Sequence, residues 1–128
     1  LRVSDKVLAR AERIINSAVK QCKTPYKPKL EFFSSHEKAI EACCEYEENT
    51  EVYALVPGSK LRFAEAMLEQ PTGKASFFIG GEKGWLDVEL EMMLKEGVRF
   101  LSLGSNVLRA WTAAVSVAST ASLILSEK

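Results

Sequence analysis

The chain has little cysteine, a single histidine and no excess charge of either sign among its 128 residues. The three cysteines are an odd number with two adjacent, and their spacing fits no metal site, which favours free thiols and predicts no bound metal. His36 stands in a predicted helix cap, a position more typical of a surface residue than of a catalytic base. The formal net charge of +0 excludes a global basic field that would attract nucleic acid, but it allows a local basic patch. No apolar run is long enough to span a membrane, so no membrane association is expected.

Length and composition indicate one globular domain. Hydrophobic residues make up 47% and charged residues 27%, which are ordinary values for a globular protein. A chain of 128 residues provides one hydrophobic core rather than two. We therefore expect a single domain over residues 1–128.

Short apolar runs alternate with helical patterns along most of the chain. An amphipathic helix is predicted from about Ser4 to Gln21, followed by four strand–helix repeats. The predicted strands are residues 30–33, 52–56, 75–79 and 98–101, and the predicted helices are residues 34–45, 60–69, 86–96 and 107–126. Strands that alternate with helices favour a parallel sheet with helices on both faces. The predicted fold class is therefore α/β.

Several helix boundaries have recognisable capping residues. Ser34 and Glu37 fit a capping box at the start of the second helix. Ser59 is a plausible cap for the third helix, and Gly97 is expected to end the fourth. Within that fourth helix, the residues predicted to point inward are Val88, Leu90, Met93 and Leu94.

The first predicted helix carries basic residues away from its apolar stripe. These are Lys6, Arg10, Arg13 and Lys20. Such a pattern is usually a solvated helix face, although the same residues are able to contact RNA.

Turn-forming residues follow three of the predicted strands. They are Pro57-Gly58-Ser59, the glycine-rich residues 80–84, and Gly104-Ser105-Asn106. Ligands of parallel sheets bind beyond the carboxyl ends of the strands, and glycine allows the backbone to approach a ligand closely. The spacing within residues 80–84 matches neither a phosphate-binding loop nor a dinucleotide fingerprint. The sequence therefore predicts a small-molecule site built from three loops.

Arg109 is predicted to lie in the first turn of the last helix. A cation gains nothing from the helix dipole at that end. Arg109 is therefore expected to have a partner, which is either an acidic side chain or a phosphate.

Two blocks of the sequence resemble the RsmE-type ribosomal RNA methyltransferases, which belong to the SPOUT class of knotted enzymes. Residues 103–113 read LGSNVLRAWTA and resemble the family signature LGxxILRxETA. Residues 79–85 read IGGEKGW, are followed by Glu89, and resemble IGPEGGF with its downstream glutamate. The resemblance implies a SPOUT-type α/β fold with a C-terminal trefoil knot. It also implies that residues 1–128 correspond to the methyltransferase domain without the family's N-terminal barrel-like RNA-binding domain.

The resemblance further implies a pocket for S-adenosylmethionine at the three loops. Glu82 and Arg109 match the family's glutamate and arginine and are the candidate catalytic residues. Glu82 is a candidate proton acceptor, and Arg109 a candidate to hold a phosphate or to offset charge on the base. The positions implied for cofactor binding are Leu55, Val56, Pro57, Gly58, Ile79, Gly80, Gly81, Glu82, Gly84, Leu103, Gly104, Ser105, Val107, Leu108 and Thr112.

The activity implied is methylation of N(3) of a uracil in small-subunit ribosomal RNA, in the cytoplasm or alternatively in a mitochondrion or plastid. The sequence departs from the family signatures at Gly81, Lys83, Leu86, Ser105, Asn106 and Trp111. Because Trp111 replaces a glutamate, one alternative is a catalytically impaired relative that binds RNA or the ribosome. Another is a methyltransferase for a different nucleotide.

The last predicted helix is rich in small residues and poor in charge, so it needs a cover on a second side. The first helix of the same chain is one candidate cover. The resemblance favours a second copy of the chain, and hence a homodimer.

Overall fold

The computed structural model describes residues 4–45, 48–104 and 108–126. Within these residues the chain forms five helices and three strands. They are α1 (Asp5–Cys22), α2 (His36–Glu45), β1 (Glu51–Leu55), α3 (Phe63–Glu69), β2 (Ala75–Ile79), α4 (Asp87–Lys95), β3 (Arg99–Leu101) and α5 (Ala110–Leu125). The chain divides into two compact units, Leu1–Lys38 and Ala39–Lys128. A single domain over residues 1–128 stays a prediction.

The first unit is built around α1. The Ser4 hydroxyl accepts a hydrogen bond from the Val7 amide at 3.4 Å and caps the helix. The helix ends at Lys23, whose φ of 52° is left-handed. None of the α1 residues is buried, although the helix is amphipathic.

The predicted strand over residues 30–33 is wrong, because these residues form no regular structure. The apolar side chains of this run remain exposed: Leu30 by 37%, Phe32 by 47% and Phe33 by 43%. Pro25 and Pro28 precede the run and lack the amide donors that a strand ladder requires. The run therefore has β-forming residues but no hydrogen-bonded partner strand among the described residues.

The second unit contains a three-stranded parallel sheet with the order β2-β1-β3. The central strand β1 pairs with β2 on one side and β3 on the other. In this register Leu55 lies opposite both Ile79 and Leu101. All three strands therefore end at the same edge of the sheet.

Helices cover both faces of this sheet, as the sequence predicted. Tyr53 and Leu55 of β1 point to one face, where they pack with the buried residues of α3 and α5. Ala54 points to the other face and packs with Ile40 of α2 and Met93 of α4. The alternation follows from the period of two in a strand and explains why β1 is apolar on both sides.

Two predicted helix starts in this part of the chain are corrected by the structure. The amide of Lys38 donates to the Ser35 hydroxyl at 3.2 Å, so Ser35 rather than Ser34 caps α2. The Ser59 hydroxyl donates to the Val56 carbonyl at 2.7 Å and forms a turn, so α3 begins only at Phe63. Polar side chains close tight turns as readily as they cap helices, which is why the sequence placed this start too early.

The α4 helix buries a narrower face than predicted. Met93 is buried and Leu90 is half-buried, but Val88 and Leu94 are 53% and 58% exposed, so the inward assignment of these two residues is wrong. The side chains of this short helix that pack in the core on this face of the sheet are Leu90, Met92 and Met93. Gly97 ends the helix region as predicted, with a φ of 81° that favours glycine.

None of the helices in the described ranges is both long and apolar enough to cross a bilayer. The C-terminal trefoil knot stays a prediction of the resemblance.

Candidate functional site

A cavity of about 440 Å³ opens where the three strands end. Its floor includes Leu55, Ile79 and Leu101, the last residues of β1, β2 and β3. The parallel register brings these three residues side by side, so the loops that follow them converge. The volume lies within the range of roughly 300–1,000 Å³ that is typical of small-molecule sites.

The loop after β1 supplies Val56 and Pro57 to the cavity wall. The Val56 amide donates to the Leu101 carbonyl at 2.9 Å, which continues the pairing of β1 with β3 by one residue. Gly58 turns the chain with a φ of 83° and does not line the cavity. Its role among the described residues is therefore to shape the turn.

The loop after β2 is a tight turn closed by two glycines. The Gly84 amide donates to the Gly81 carbonyl at 3.0 Å, and Gly84 has a φ of 72°. Glu82 and Lys83 lie at the exposed tip of this turn, and Glu82 lines the cavity. The glycines thus place a carboxylate at the cavity rim on a short, closed loop.

Trp85 attaches this loop to the central strand. Its indole Nε1 donates to the Leu55 carbonyl at 2.9 Å, and its side chain lines the cavity. A Cβ added at Gly80 would come within 3.2 Å of the Trp85 ring. A side chain at Gly80 would therefore crowd the indole, which would have to shift by a few tenths of an ångström. The site prediction omitted Trp85, although it ends the IGGEKGW block.

The loop after β3 is held by the segment that leads into α3. The Ser102 amide donates to the Leu61 carbonyl at 3.0 Å, and the Phe63 amide donates to the Ser102 carbonyl at 2.9 Å. Leu103 and Gly104 follow and line the cavity. Gly104 has a φ of 132°, which strongly favours glycine.

The N-terminal end of α5 closes another side of the cavity. Arg109 is the N-cap residue of α5, so the predicted start at Val107, with Arg109 inside the first turn, is corrected by the structure. The Arg109 carbonyl accepts from the Ala113 amide at 2.9 Å, and its exposed side chain lines the cavity. Arg109 forms no ion pair with any described residue. Of the described residues in the cavity wall, Glu82 and Arg109 are the ionisable ones.

The structure brings most of the predicted site residues together around this one cavity. The predicted residues that line it are Leu55, Val56, Pro57, Ile79, Gly80, Gly81, Glu82, Gly84, Leu103, Gly104, Leu108 and Arg109. Gly58 and Thr112 do not line it, while Ser105 and Val107 lie outside the described residues.

Five lining residues were missed by the sequence prediction. They are Trp85, Leu101, Ser102, Ala110 and Ala113. Leu101 and Ser102 were predictable from their position at the end of β3. Ala110 and Ala113 share the three-residue spacing of one helix face, but they face the cavity only because α5 begins at Ala110.

The cavity combines an apolar wall with backbone groups at strand ends. Leucine, isoleucine and alanine side chains provide surface against which a flat heterocycle packs, while the glycine loops let amides and carbonyls approach it. These features suit a nucleoside-sized ligand.

A comparison with protein-family models confirms the resemblance drawn from the two sequence blocks. The model described as the RNA methyltransferase domain matches residues 2–122. This match covers both blocks and all of the described residues that line the cavity. A search of curated proteins found no match.

Solved structures share the fold. The ribosomal RNA small subunit methyltransferase E of Neisseria gonorrhoeae, bound to S-adenosylmethionine, superimposes with a TM-score of 0.80 at 22% identity, over 96% of this chain and 50% of that one. A proposed methyltransferase of Legionella pneumophila, also bound to this cofactor, gives a TM-score of 0.77 at 24% identity, over 96% and 50%. The chain thus spans about half the length of these proteins. At such identities the likeness establishes the α/β fold.

Proposed function

Because this chain belongs to the RNA methyltransferase domain family, we propose that it transfers a methyl group from S-adenosylmethionine to a base in RNA. The observation that carries the proposal is the cavity, which is lined by residues of both family blocks. Glu82 and Trp85 come from the first block, and Gly104 and Arg109 from the second. Two blocks that lie about twenty residues apart in sequence thus share one wall of a ligand-sized site.

The residues of the three loops are suited to hold the cofactor. Backbone groups near Gly104 are accessible because this position carries no side chain and has open space beside it, and the apolar residues Leu55 and Leu108 offer a surface for an adenine ring. When bound, S-adenosylmethionine supplies an electrophilic methyl group on a sulfonium sulfur. The protein's own contribution is to orient the acceptor base, which is mainly a matter of positioning.

Two side chains are proposed to assist the acceptor. A uracil ring nitrogen must lose a proton before or during methyl transfer, and Glu82 at the cavity rim is the proposed acceptor of that proton. Arg109 is proposed to hold an RNA phosphate or to stabilise negative charge on the base. Its guanidinium suits this role because it pairs with no described acidic residue.

We propose small-subunit ribosomal RNA as the substrate and N(3) of a uracil as the acceptor. The support is the two sequence blocks, together with the fold shared with the small-subunit methyltransferase of Neisseria gonorrhoeae. The C-terminal trefoil knot and the homodimer belong to the same proposal.

A second candidate function is binding to RNA or the ribosome without methyl transfer. The observation in its favour is Trp111, which replaces a glutamate of the family signature and is 69% exposed at the start of α5. An indole cannot accept a proton or pair with a cation as a carboxylate does. Restoring the family residue with Trp111→Glu would raise transfer if this replacement limits activity.

The test of the proposal has two stages. Titration calorimetry with S-adenosylmethionine and with S-adenosylhomocysteine measures cofactor binding, and transfer of a radioactive methyl group to small-subunit ribosomal RNA measures activity. Arg109→Ala should lower transfer roughly a hundredfold or more while leaving cofactor affinity little changed. Lys60→Ala is the matched control, because Lys60 is an exposed cation outside the cavity.

The outcomes separate the two candidate functions. Absence of binding to either cofactor by a folded sample would remove the methyltransferase proposal. Cofactor binding and RNA binding without transfer would favour the second candidate. Equal transfer by the Arg109 and Lys60 variants would remove Arg109 from the catalytic residues.

A further inference from the structure

The two compact units carry opposite charge. Residues 1–38 contain nine Lys or Arg and four Asp or Glu, whereas residues 39–128 contain eight and thirteen. The formal charges are therefore +5 and −5, which cancel in the neutral total. A neutral chain thus contains a distinctly basic unit, and charge asymmetry of this kind is typical of proteins that contact nucleic acid.

The basic unit has a shallow groove of about 400 Å³ along one face of α1. The groove is lined by Arg10, Arg13, Ile14, Ser17, Ala18 and Gln21. Their spacing of three and four residues places them in one stripe on the helix. All six are exposed in the chain.

The positive charge of this groove is not neutralised within the described part of the chain. Neither Arg10 nor Arg13 forms an ion pair with a described residue. Glu12, an acidic residue of the same helix, pairs instead with Lys27 at 2.8 Å. The two guanidinium groups are therefore available to an anionic partner.

The side chains of the groove match an RNA backbone in kind. Arginine binds phosphate with two parallel hydrogen bonds, and both cations in this groove are arginines. The Ser17 hydroxyl and the Gln21 amide are groups that commonly contact phosphates and sugars. Ile14 and Ala18 between them provide an apolar surface for a ribose or a base.

We propose that this face of α1 binds the phosphate backbone of RNA. The inference rests on the proposed function in one respect, since that function makes RNA the partner of the chain. Such contacts position an RNA without reading its sequence. The contribution of the face is therefore affinity and orientation for a substrate that the rest of the chain, with its net negative charge, would repel.

The test measures binding of a short fluorescein-labelled RNA hairpin to the full chain by fluorescence anisotropy over a range of KCl concentrations. The variant replaces both arginines, Arg10→Gln and Arg13→Gln, because glutamine keeps the helix propensity of α1. The control variant carries Lys60→Gln and Lys95→Gln, which remove two positive charges from exposed positions of the second unit. Circular dichroism verifies that each variant is folded, independently of cofactor binding.

The expected result is weaker RNA binding by the arginine variant, with a shallower dependence of log K on log salt. Loss of two phosphate contacts should reduce this slope by about 1.4 to 1.8. The control should keep the slope of the unmodified protein. The conservative variant Arg10→Lys with Arg13→Lys should also keep the slope, because it retains both charges, but it should bind less tightly.

Three results would overturn the inference. The first is an unmodified protein that does not bind the hairpin at low salt. The second is a variant with Arg10→Gln and Arg13→Gln whose slope of log K against log salt is unchanged, or is reduced no more than that of the control with Lys60→Gln and Lys95→Gln. The third is a lower molar mass of the arginine variant with unchanged RNA affinity, which would make the groove a protein interface. Because the anisotropy assay contains no methyl donor, it measures the contact independently of methyl transfer. A chain that binds RNA through this face but transfers no methyl group in the separate transfer assay would count against the proposed function and not against the contact.

Discussion

At the residue scale, one indole fixes the geometry of the loop that carries Glu82. Trp85 donates to the Leu55 carbonyl at 2.9 Å and lines the cavity at the same time. Trp85→Phe removes this hydrogen bond and keeps an aromatic ring. A net hydrogen bond contributes about 0.5–1.5 kcal/mol, so we expect cofactor affinity to fall by a factor of roughly 2 to 12. Titration calorimetry with S-adenosylhomocysteine measures this affinity.

The chain offers a matched control for this variant. Trp111 is the second tryptophan, and it lies outside the cavity with 69% of its surface exposed. Trp111→Phe should leave cofactor affinity unchanged. Equal affinities of the two variants would show that the Trp85 hydrogen bond does not position the loop.

A second residue-scale prediction concerns Tyr53 in the centre of the sheet. Its side chain is buried, and its hydroxyl makes no hydrogen bond of normal geometry with a described residue, although the Arg99 guanidinium lies near the ring, 5.9 Å from its centroid. Burial raises the pKa of Tyr53 above its ordinary value of 10.0, the Glu51 carboxylate raises it further, and the Arg99 guanidinium opposes the shift. Because an unpartnered buried hydroxyl is unfavourable, Tyr53→Phe should raise the free energy of unfolding by up to about 1 kcal/mol at neutral pH.

The raised pKa also gives the sign of a pH dependence. The unfolded chain loses the tyrosine proton at a lower pH than the folded chain, so the unmodified protein should lose stability as the pH rises above about 10. Tyr53→Phe lacks this titration. Denaturant unfolding of both proteins at pH 7 and above pH 10 measures the difference between their free energies of unfolding, and this difference should widen as the pH rises. A constant difference would exclude the pKa shift.

At the element scale, the glycine loop after β2 is constrained at one glycine and not at its neighbour. A Cβ at Gly80 would lie 3.2 Å from the Trp85 ring, whereas a Cβ at Gly81 would meet nothing within 4 Å. Gly80→Ala must therefore displace the indole and should weaken cofactor binding at least as much as Trp85→Phe. Gly81→Ala should leave the indole in place, so any loss of affinity should be smaller, although Gly81 also lines the cavity. Titration calorimetry measures the cofactor affinity of both variants. Equal affinities of Gly80→Ala and Gly81→Ala would contradict the packing of Gly80 against Trp85.

Local patterns predicted the strands of the sheet well because the apolar runs coincide with buried positions. Residues 75–79 were predicted as a strand and form β2 with the same bounds. Residues 30–33 have similar composition but form no strand, because pairing depends on neighbours that the local sequence does not specify. The same limit applies to helix starts, since the hydroxyl of Ser59 serves a turn and not a cap.

The site was predictable where it follows from topology. Parallel strands present their carboxyl ends at one edge, so turn residues after three strands were expected to converge, and the loops do so. The indole of Trp85 was not predictable in this way, because its partner is the Leu55 carbonyl, thirty residues earlier in the chain. Gly58 was assigned by its place in the loop after β1 and Thr112 by its position in the second family block, but neither residue lines the cavity.

At the scale of the whole molecule, α5 is apolar on two sides. Ala113, Val117 and Ala121 are buried in the core that includes Tyr53 of β1. On another side Trp111 and Val115 remain 69% and 61% exposed within the single chain. These two residues are four positions apart, so they form one patch on the helix surface.

We expect this patch to meet its own copy in a symmetric homodimer. In such an interface the same patch faces itself, so Val115→Glu would place two carboxylates opposite one another in an apolar contact. A residue at the centre of an interface typically contributes about 2 kcal/mol or more to the free energy of binding, so the dissociation constant of the dimer should rise by a factor of roughly thirty. Ala64→Glu on the exposed side of α3 is the matched control. Light scattering after size exclusion at micromolar concentration should give about twice 14.2 kDa for the unmodified protein and the control, and about 14.2 kDa for Val115→Glu. A monomeric unmodified protein would exclude the dimer, while a dimer that persists in Val115→Glu would place the interface on another face.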